Sequence, residues 1–271
     1  MSADRSTTAL PLFRRALGDS WRSLLGWSLG VGAAIALYVP LFPSLGGNPD
    51  VQELLDSLPP ELVNAIGYDQ ITTGAGYTQS TFYGPIGLML LTIAATAWGT
   101  AAIAGDEETG SLELTLAHGV SRAQIVLERT AALVVRLGWL ALLSALIVIA
   151  LTDGARLGIE PRNAFAAAAA IFALTFVSGS LAIAVGCVTG RRVYATAAGA
   201  GIAVVAYALN AVANQGEGVD WLHSWSPYHW AYANSPLAEG VDWGGLGLLL
   251  GLSAVVLAIG LTVFNRRDLV S

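Results

Sequence analysis

The chain has 271 residues, 55% hydrophobic and only 12% charged, with a formal net charge of −6. Soluble domains carry about a quarter charged residues, so this composition points to a bilayer, and an acidic chain without a basic stripe excludes a nucleic-acid partner. The one cysteine, Cys187, lies in an apolar run, which leaves no intrachain disulfide and no cysteine-based zinc site.

In chain order, segment 6–22 (STTALPLFRRALGDSWR) sets Leu10, Phe13, Leu17 and Trp21 near three-to-four spacing beside Arg14, Arg15 and Arg22. The pattern predicts an amphipathic helix lying at a membrane interface, with a plain extension of the first span as the alternative. A bilayer core needs about 20 apolar residues as helix, and the predicted spans are 24–42, 83–104, 131–151, 164–188, 194–213 and 244–264. The first is too long for a signal peptide and lacks a small-residue cleavage site. Segment 44–81 is acidic and reads as two short helices broken by Pro59–Pro60. Segment 214–243 holds Trp221, Trp225, Tyr228, Trp230, Tyr232 and Trp243, residues that collect at membrane interfaces because each ring has an apolar body and a polar edge. Gly179, Gly186, Gly190, Gly199 and Gly201 suit close helix approach in the fourth and fifth spans.

Arginine position sets the expected orientation. With a cytoplasmic N-terminus, eleven arginines fall inside (5, 14, 15, 22, 122, 129, 136, 191, 192, 266 and 267) and only Arg156 and Arg162 outside. The prediction is an all-α polytopic membrane protein of six spans with both termini cytoplasmic, 105–125 on the cytoplasmic side, and 44–81 and 214–243 outside. Arginine without any lysine, with abundant Ala, Gly and Asp, suggests a GC-rich or salt-adapted prokaryote and its plasma membrane.

Catalysis finds little support. The sequence has no HExxH, GxSxG or Cys/His cluster; His223 and His229, flanking Trp225 and Tyr228, read as interfacial side chains and not metal ligands. Ion-coupled carriers place ionisable groups inside the membrane, yet no Asp, Glu, Lys or His lies mid-span and Arg136 is placed near the start of the third span. There is no GxxxxGK[ST] loop, so energy has to come from a partner.

The polar stretch 105–129, GDEETGSLELTLAHGVSRAQIVLER, offers several readings. Asp106, Glu107 and Glu108 suit a helix start or basic residues of a partner; Leu112 and Leu116 form an apolar strip for a groove, although alternation of Leu112, Leu114 and Leu116 also permits a strand. Ser121 and Gln124 form a capping-box pattern. The stretch resembles the segment after the second span of type 2 ABC-transporter permeases, through Glu107, Glu108, Gly110, Ser111, Leu112, Glu113, Leu114, Leu116, Ser121 and Arg122. The external WSPYHWAYANSPLAEGVDW segment, the closing FNRRDL and the layout of the chain agree, while AHGV at 117–120 replaces a proline found in many relatives.

The resemblance implies one permease domain over 1–271 that pairs as a homodimer or with a homologous permease and binds separate ATP-binding subunits. ATP and Mg reside on those subunits, with no cofactor, catalytic residue or metal site in this chain. It implies a coupling interface at Asp106, Glu107, Glu108, Gly110, Leu112, Glu113, Leu116, Ser121 and Arg122, and an interfacial helix carrying Phe13, Arg14, Arg15, Leu17 and Trp21. The expected activity is export of a hydrophobic or amphipathic substrate, most commonly drug-like; lipid, glycan or sodium export and metalloenzyme maturation occur among such permeases. A carrier or channel working alone, or a non-transporting scaffold, is the reading from another class.

Overall fold

A computed structural model describes residues 10–45, 53, 57, 71–216 and 218–267. The described residues form helices and turns without a strand: α1 Pro11–Asp19, α2 Trp21–Tyr38, α3 Gly74–Glu108, α4 Ser111–Ala117, α5 Arg122–Thr152, α6 Pro161–Thr189, α7 Arg192–Ala213, α8 Pro227–Tyr232 and α9 Trp243–Arg266. Six of them, α2, α3, α5, α6, α7 and α9, are long and apolar enough to cross a membrane.

α2 reaches the end of its predicted span only through a 3-10 turn at Val39–Leu41 and a short helix at Phe42–Leu45. The other long helices contain their predicted spans and most run past them, because polar turns extend the helix beyond the apolar run. The largest differences are at the second span, where helix begins at Gly74 and not near 83, and at the third, where it begins at Arg122 and not near 131. The two short helices predicted within 44–81 lie outside the described residues, as do residues 6–9. α1 is separate from α2: Ser20 leaves helical geometry and turns its hydroxyl back to the Ala16 carbonyl, so the first span is not simply extended.

Pro85 lies inside α3, where it lacks the N–H of a regular ladder. The chain accommodates it by widening into a π-helix over Gln79–Ile86 instead of breaking, a local change that recurs at functional sites.

α6 is the central helix, buried along most of its length, whereas α2 and α9 are peripheral. Its Ala run and glycines let neighbours come close, which is how membrane helices gain packing where lipid supplies no hydrophobic drive. α3 crosses it at Gly99 and Gly179: a Cβ on Gly99 would sit 2.5 Å from the Gly179 carbonyl oxygen. Gly186 and Gly199 are likewise in close contact, but Gly201 faces open space, so the expectation for that residue is not met. α1, α4 and the clustered arginines mark one end of the bundle, the arginine-rich end; the segment 214–243 marks the other, the tryptophan-rich end.

Candidate functional site

At the arginine-rich end the last turn of α3 carries three consecutive carboxylates, and each meets an arginine of its own chain. Asp106 pairs with Arg129 of α5 at 2.6 Å, Glu107 with Arg267 after α9, and Glu108 with Arg192 at the start of α7 at 3.4 Å, where it also accepts the Arg192 backbone N–H at 2.8 Å. Arg267 donates further to the Val188 carbonyl of α6 at 3.1 Å. Arg122 closes the set by donating to the Phe264 and Arg267 carbonyls, satisfying acceptors that a helix C-terminus otherwise leaves unpaired. The ends of α3, α5, α6, α7 and α9 thus meet in one polar hub. Gly190 permits it: it ends α6 at φ 67°, and a Cβ there would collide with the Glu107 carboxylate.

The hub revises the sequence expectation for the acidic cluster. Glu107 and Asp106 are paired with arginines of their own chain, and Arg122 is a cap on α9. Leu112 is 1% exposed and belongs to the chain's own core, with Leu116 packed beside it; they hold α4 down instead of offering an apolar strip. The reason is helical phase: 112 and 116 share the inward face of a helix, not a strand, and Gly110 at φ 72° turns that face onto the bundle. What α4 presents outward is Glu113, which has no ion pair among the described residues, Leu114, 66% exposed, and Ala117 and His118. Ser121 caps α5 as expected by accepting the Gln124 N–H at 3.1 Å. The reciprocal half of the box is absent, because the Gln124 amide donates to Glu128 at 2.7 Å.

Glu128, a carboxylate of the same polar stretch that the expected coupling interface did not include, is 3% exposed. Its second oxygen accepts the backbone N–H of Phe13 at 2.8 Å, taking one of the orphan donors in the first turn of α1, where Leu10 supplies no side-chain cap. A carboxylate on α5 therefore caps and docks α1. The buried line of α1 is Leu12 and Ala16; Phe13 and Leu17 are half-buried, and Arg14, Arg15 and Trp21 are exposed. The expected apolar face is rotated by about one residue because α1 packs on α5 as well as facing outward.

Above the hub, α3 and α7 enclose a groove. Its lower part, about 370 Å³, is lined by Thr92, Thr96, Thr100, Thr196 and Arg192; an adjoining part of about 430 Å³ shares Thr92 and Ala200 and rises to Tyr207. Thr100 and Thr196 bond each other at 3.2 Å. The hydroxyls of Thr92 and Thr96 are buried and meet no partner, whereas Thr81, Thr152, Thr175 and Thr189 bond back to their own helices. Met89, Ile93 and Val204 leave an exposed apolar rim.

A family model described as an ABC-2 family transporter protein matches residues 10–269. The chain belongs to that family. It is therefore the membrane permease subunit of an ABC transporter, a multi-pass protein served by an ATP-binding partner subunit and not itself the ATPase. Among curated proteins none matches the sequence.

At the tryptophan-rich end of this permease, α8 packs against α6, α7 and α9 and bonds α3 near its start. Tyr228 stacks edge-on against Tyr207, and the Tyr232 hydroxyl donates to the Tyr83 carbonyl at 2.8 Å; burial pushes both the Tyr228 and Tyr232 phenols above the ordinary tyrosine value. Ser226 caps α8 and donates its hydroxyl to the Ala206 carbonyl. His223 and His229 stack with ring centres 4.1 Å apart, and His223 Nε2 lies 2.8 Å from Asn214 Oδ1. Burial first, and His223 second, hold His229 below its ordinary pKa. Trp221, Trp225 and Trp243 remain exposed, consistent with an interfacial belt.

Proposed function

We propose that this ABC-2 permease exports an amphipathic, hydrogen-bonding substrate through the groove between α3 and α7, with the arginine-rich end in the cytosol of a prokaryotic cell. The observation that carries this reading is the double position of Arg192. It lines the groove and also belongs to the hub, through Glu108 and through a 3.0 Å bond to the Gly105 carbonyl.

α4 docks on the ATPase through Glu113, Leu114, Ala117 and His118, giving an acidic contact beside an apolar one. Movement of α4 is passed to the hub and from there to both groove walls, since Glu108 ends α3 and Arg192 begins α7. α1, fixed to α5 by Glu128, moves with the same end. A second permease copy covers the apolar rim at Met89, Ile93 and Val204, making a dimer with two ATPase subunits that hold ATP and Mg. Thr92 and Thr96 supply hydrogen bonds to the passing substrate, and the aliphatic wall accepts its apolar body, a combination suited to drug-like molecules or lipids and poorly suited to a bare sodium ion.

Reconstitution of the permease with its co-purified ATPase in inverted vesicles tests the reading with a panel of fluorescent amphipathic compounds. ATP-dependent uptake that needs both subunits is the expected result. Gradient-driven flux from the permease alone, without ATP, would replace this reading with a carrier acting by itself.

A further inference from the structure

Among the residues that line the groove between α3 and α7, Arg192 alone is charged; no carboxylate, amide or imidazole joins it. The rest of the polar lining is hydroxyl. Thr92, Thr96 and Thr100 follow at four-residue spacing on one face of α3, and Thr196 of α7 completes the set. Thr92 is 7% and Thr96 3% exposed, and neither hydroxyl has a partner. Thr100 and Thr196 bond each other at 3.2 Å; one hydroxyl of such a pair donates and the other accepts, so one O–H is left over for a ligand. Arg136, by contrast, lies fourteen residues into α5, not near the start of the span as the sequence reading places it. It is 6% exposed with the Trp98 ring facing its guanidinium, and so is closed to a ligand.

The guanidinium of Arg192 is only partly used. Nη2 donates to the Gly105 carbonyl at 3.0 Å and Nε lies 3.4 Å from the Glu108 carboxylate, while Nη1 donates to no atom among the described residues. Glu108 does not line the groove, and its other oxygen accepts the Arg192 backbone N–H at 2.8 Å. The two side chains are 49% and 41% exposed, so water screens the pair and leaves it weak, with the charge of Arg192 available to a second anion. Arg191, exposed beside it, has no carboxylate partner among the described residues. A cationic head would find no counter-charge along this wall, whereas an anion gains charge-assisted hydrogen bonds there. Farther along, Leu88, Met89, Ala203 and Val204 turn the groove apolar as far as Tyr207. Arg192 and Tyr207 both lie on α7, about 22 Å apart along its axis, so the charged and apolar ends are well separated.

Taking this groove as the export path, we propose that it takes an amphiphile with an anionic head, a carboxylate, sulfonate or phosphate monoester, bound by Arg192 at the arginine-rich end. The Nη1 donors and the spare hydroxyl of the Thr100–Thr196 pair hold the head oxygens. Thr96 and Thr92 meet polar groups next along the molecule, and its apolar body lies against Met89 and Val204. Exposed Arg191 at the same end attracts such heads. A neutral or cationic compound of the same apolar size fits less well, because its head leaves the guanidinium edge without an acceptor.

The test uses dodecyl amphiphiles that share one tail fluorophore and differ in the head: sulfonate, glycerol or trimethylammonium. Binding is measured to the full chain in phosphatidylcholine nanodiscs, and ATP-driven uptake in inverted vesicles with the co-purified ATPase. The sulfonate compound is expected to bind at least about tenfold tighter than either of the others. Arg192→Gln should erase that preference and leave the glycerol compound within about twofold of wild type, whereas Arg192→Lys, which also serves if Arg192→Gln fails to fold, should keep the preference. Glu108→Gln separates the two roles of Arg192. If Arg192 acted only through the hub, Glu108→Gln would weaken sulfonate binding as Arg192→Gln does; a head-binding Arg192 freed of its carboxylate binds the sulfonate as tightly as wild type or tighter. Equal binding of the three heads, or a preference that survives Arg192→Gln, overturns the anionic head, even where ATP-driven uptake of all three shows the groove to be a path. Head-selective binding that needs Arg192, without ATP-driven uptake, supports the head site and overturns the export path instead. Methanesulfonate, which lacks the tail, is expected not to compete at equal concentration; effective competition would reduce the site to one for a soluble anion and overturn the amphiphile.

Discussion

Arg267 binds both carboxylate oxygens of Glu107, one at 2.6 Å, although 160 residues separate them. Each side chain is less than a fifth exposed, so removing one partner leaves the other charge poorly solvated. Glu107→Gln is expected to destabilise the permease by about 1–3 kcal/mol, below the figure for a fully buried pair. In a double-mutant cycle with Arg267→Gln, the coupling should exceed about 0.5 kcal/mol, the scatter of independent sites. Thermal unfolding of the four proteins decides; additive effects would mean that the pair does not hold α3 to α9.

The fold was legible because bilayer thickness forces apolar runs of fixed length, so all six long helices could be counted from residues alone. The hub was not. Asp106, Glu107 and Glu108 are adjacent in sequence, but their partners come from positions 129, 267 and 192, and periodicity carries no information about such pairings. The same arginines were read as setting orientation, a role that is compatible with ion pairing and therefore gave no hint of it. Nothing in the sequence separates Glu128 from the other carboxylates of the polar stretch; only the approach of the α1 first turn makes it a cap. The groove follows from unpartnered Thr92 and Thr96, which in sequence are indistinguishable from Thr residues that bond their own helix.

The two faces of α4 separate stability from docking. Leu112→Ala empties a core position and should cost about 2–5 kcal/mol. Glu113→Ala with Leu114→Ala touches exposed side chains only and should leave the midpoint within about 0.5 kcal/mol of wild type, while weakening co-purification of the ATPase and the stimulation of its hydrolysis. Normal assembly by the double variant would remove the outer face of α4 from the contact.

Thr92→Val and Thr96→Val delete buried hydroxyls that have no partner. Loss of an unsatisfied polar group relieves a desolvation penalty, so each variant should match or exceed wild-type stability, by up to about 1–2 kcal/mol. Thr175→Val is the contrast, because its hydroxyl bonds the Ile171 carbonyl at 2.7 Å. In ATP-driven uptake the groove variants should raise KM for hydrogen-bonding substrates by about three- to tenfold, equivalent to one hydrogen bond of about 1 kcal/mol, and leave purely apolar substrates unaffected. Equal changes for both substrate types would place these hydroxyls outside the path.

The stacked pair at the tryptophan-rich end makes stability depend on pH in a defined direction. His229 is held below its ordinary value of 6.5 by burial and then by His223, with the Asp242 carboxylate opposing both. Above about pH 6.5 the imidazole is neutral whether the chain is folded or not, and it contributes no slope. As the pH falls below that value the unfolded chain takes up the proton first, so stability declines until the pH passes the lower pKa of the folded state. His229→Gln should flatten this part of the stability profile between pH 7 and pH 5. His223→Phe should raise the pKa of His229 by removing the neighbouring charge, which narrows the window in which stability is lost. Unfolding midpoints across that range, together with histidine ring resonances of the folded permease, measure both effects. If the His229→Gln profile runs parallel to wild type, other groups set the acid sensitivity, and the stack is a packing contact without influence on proton uptake.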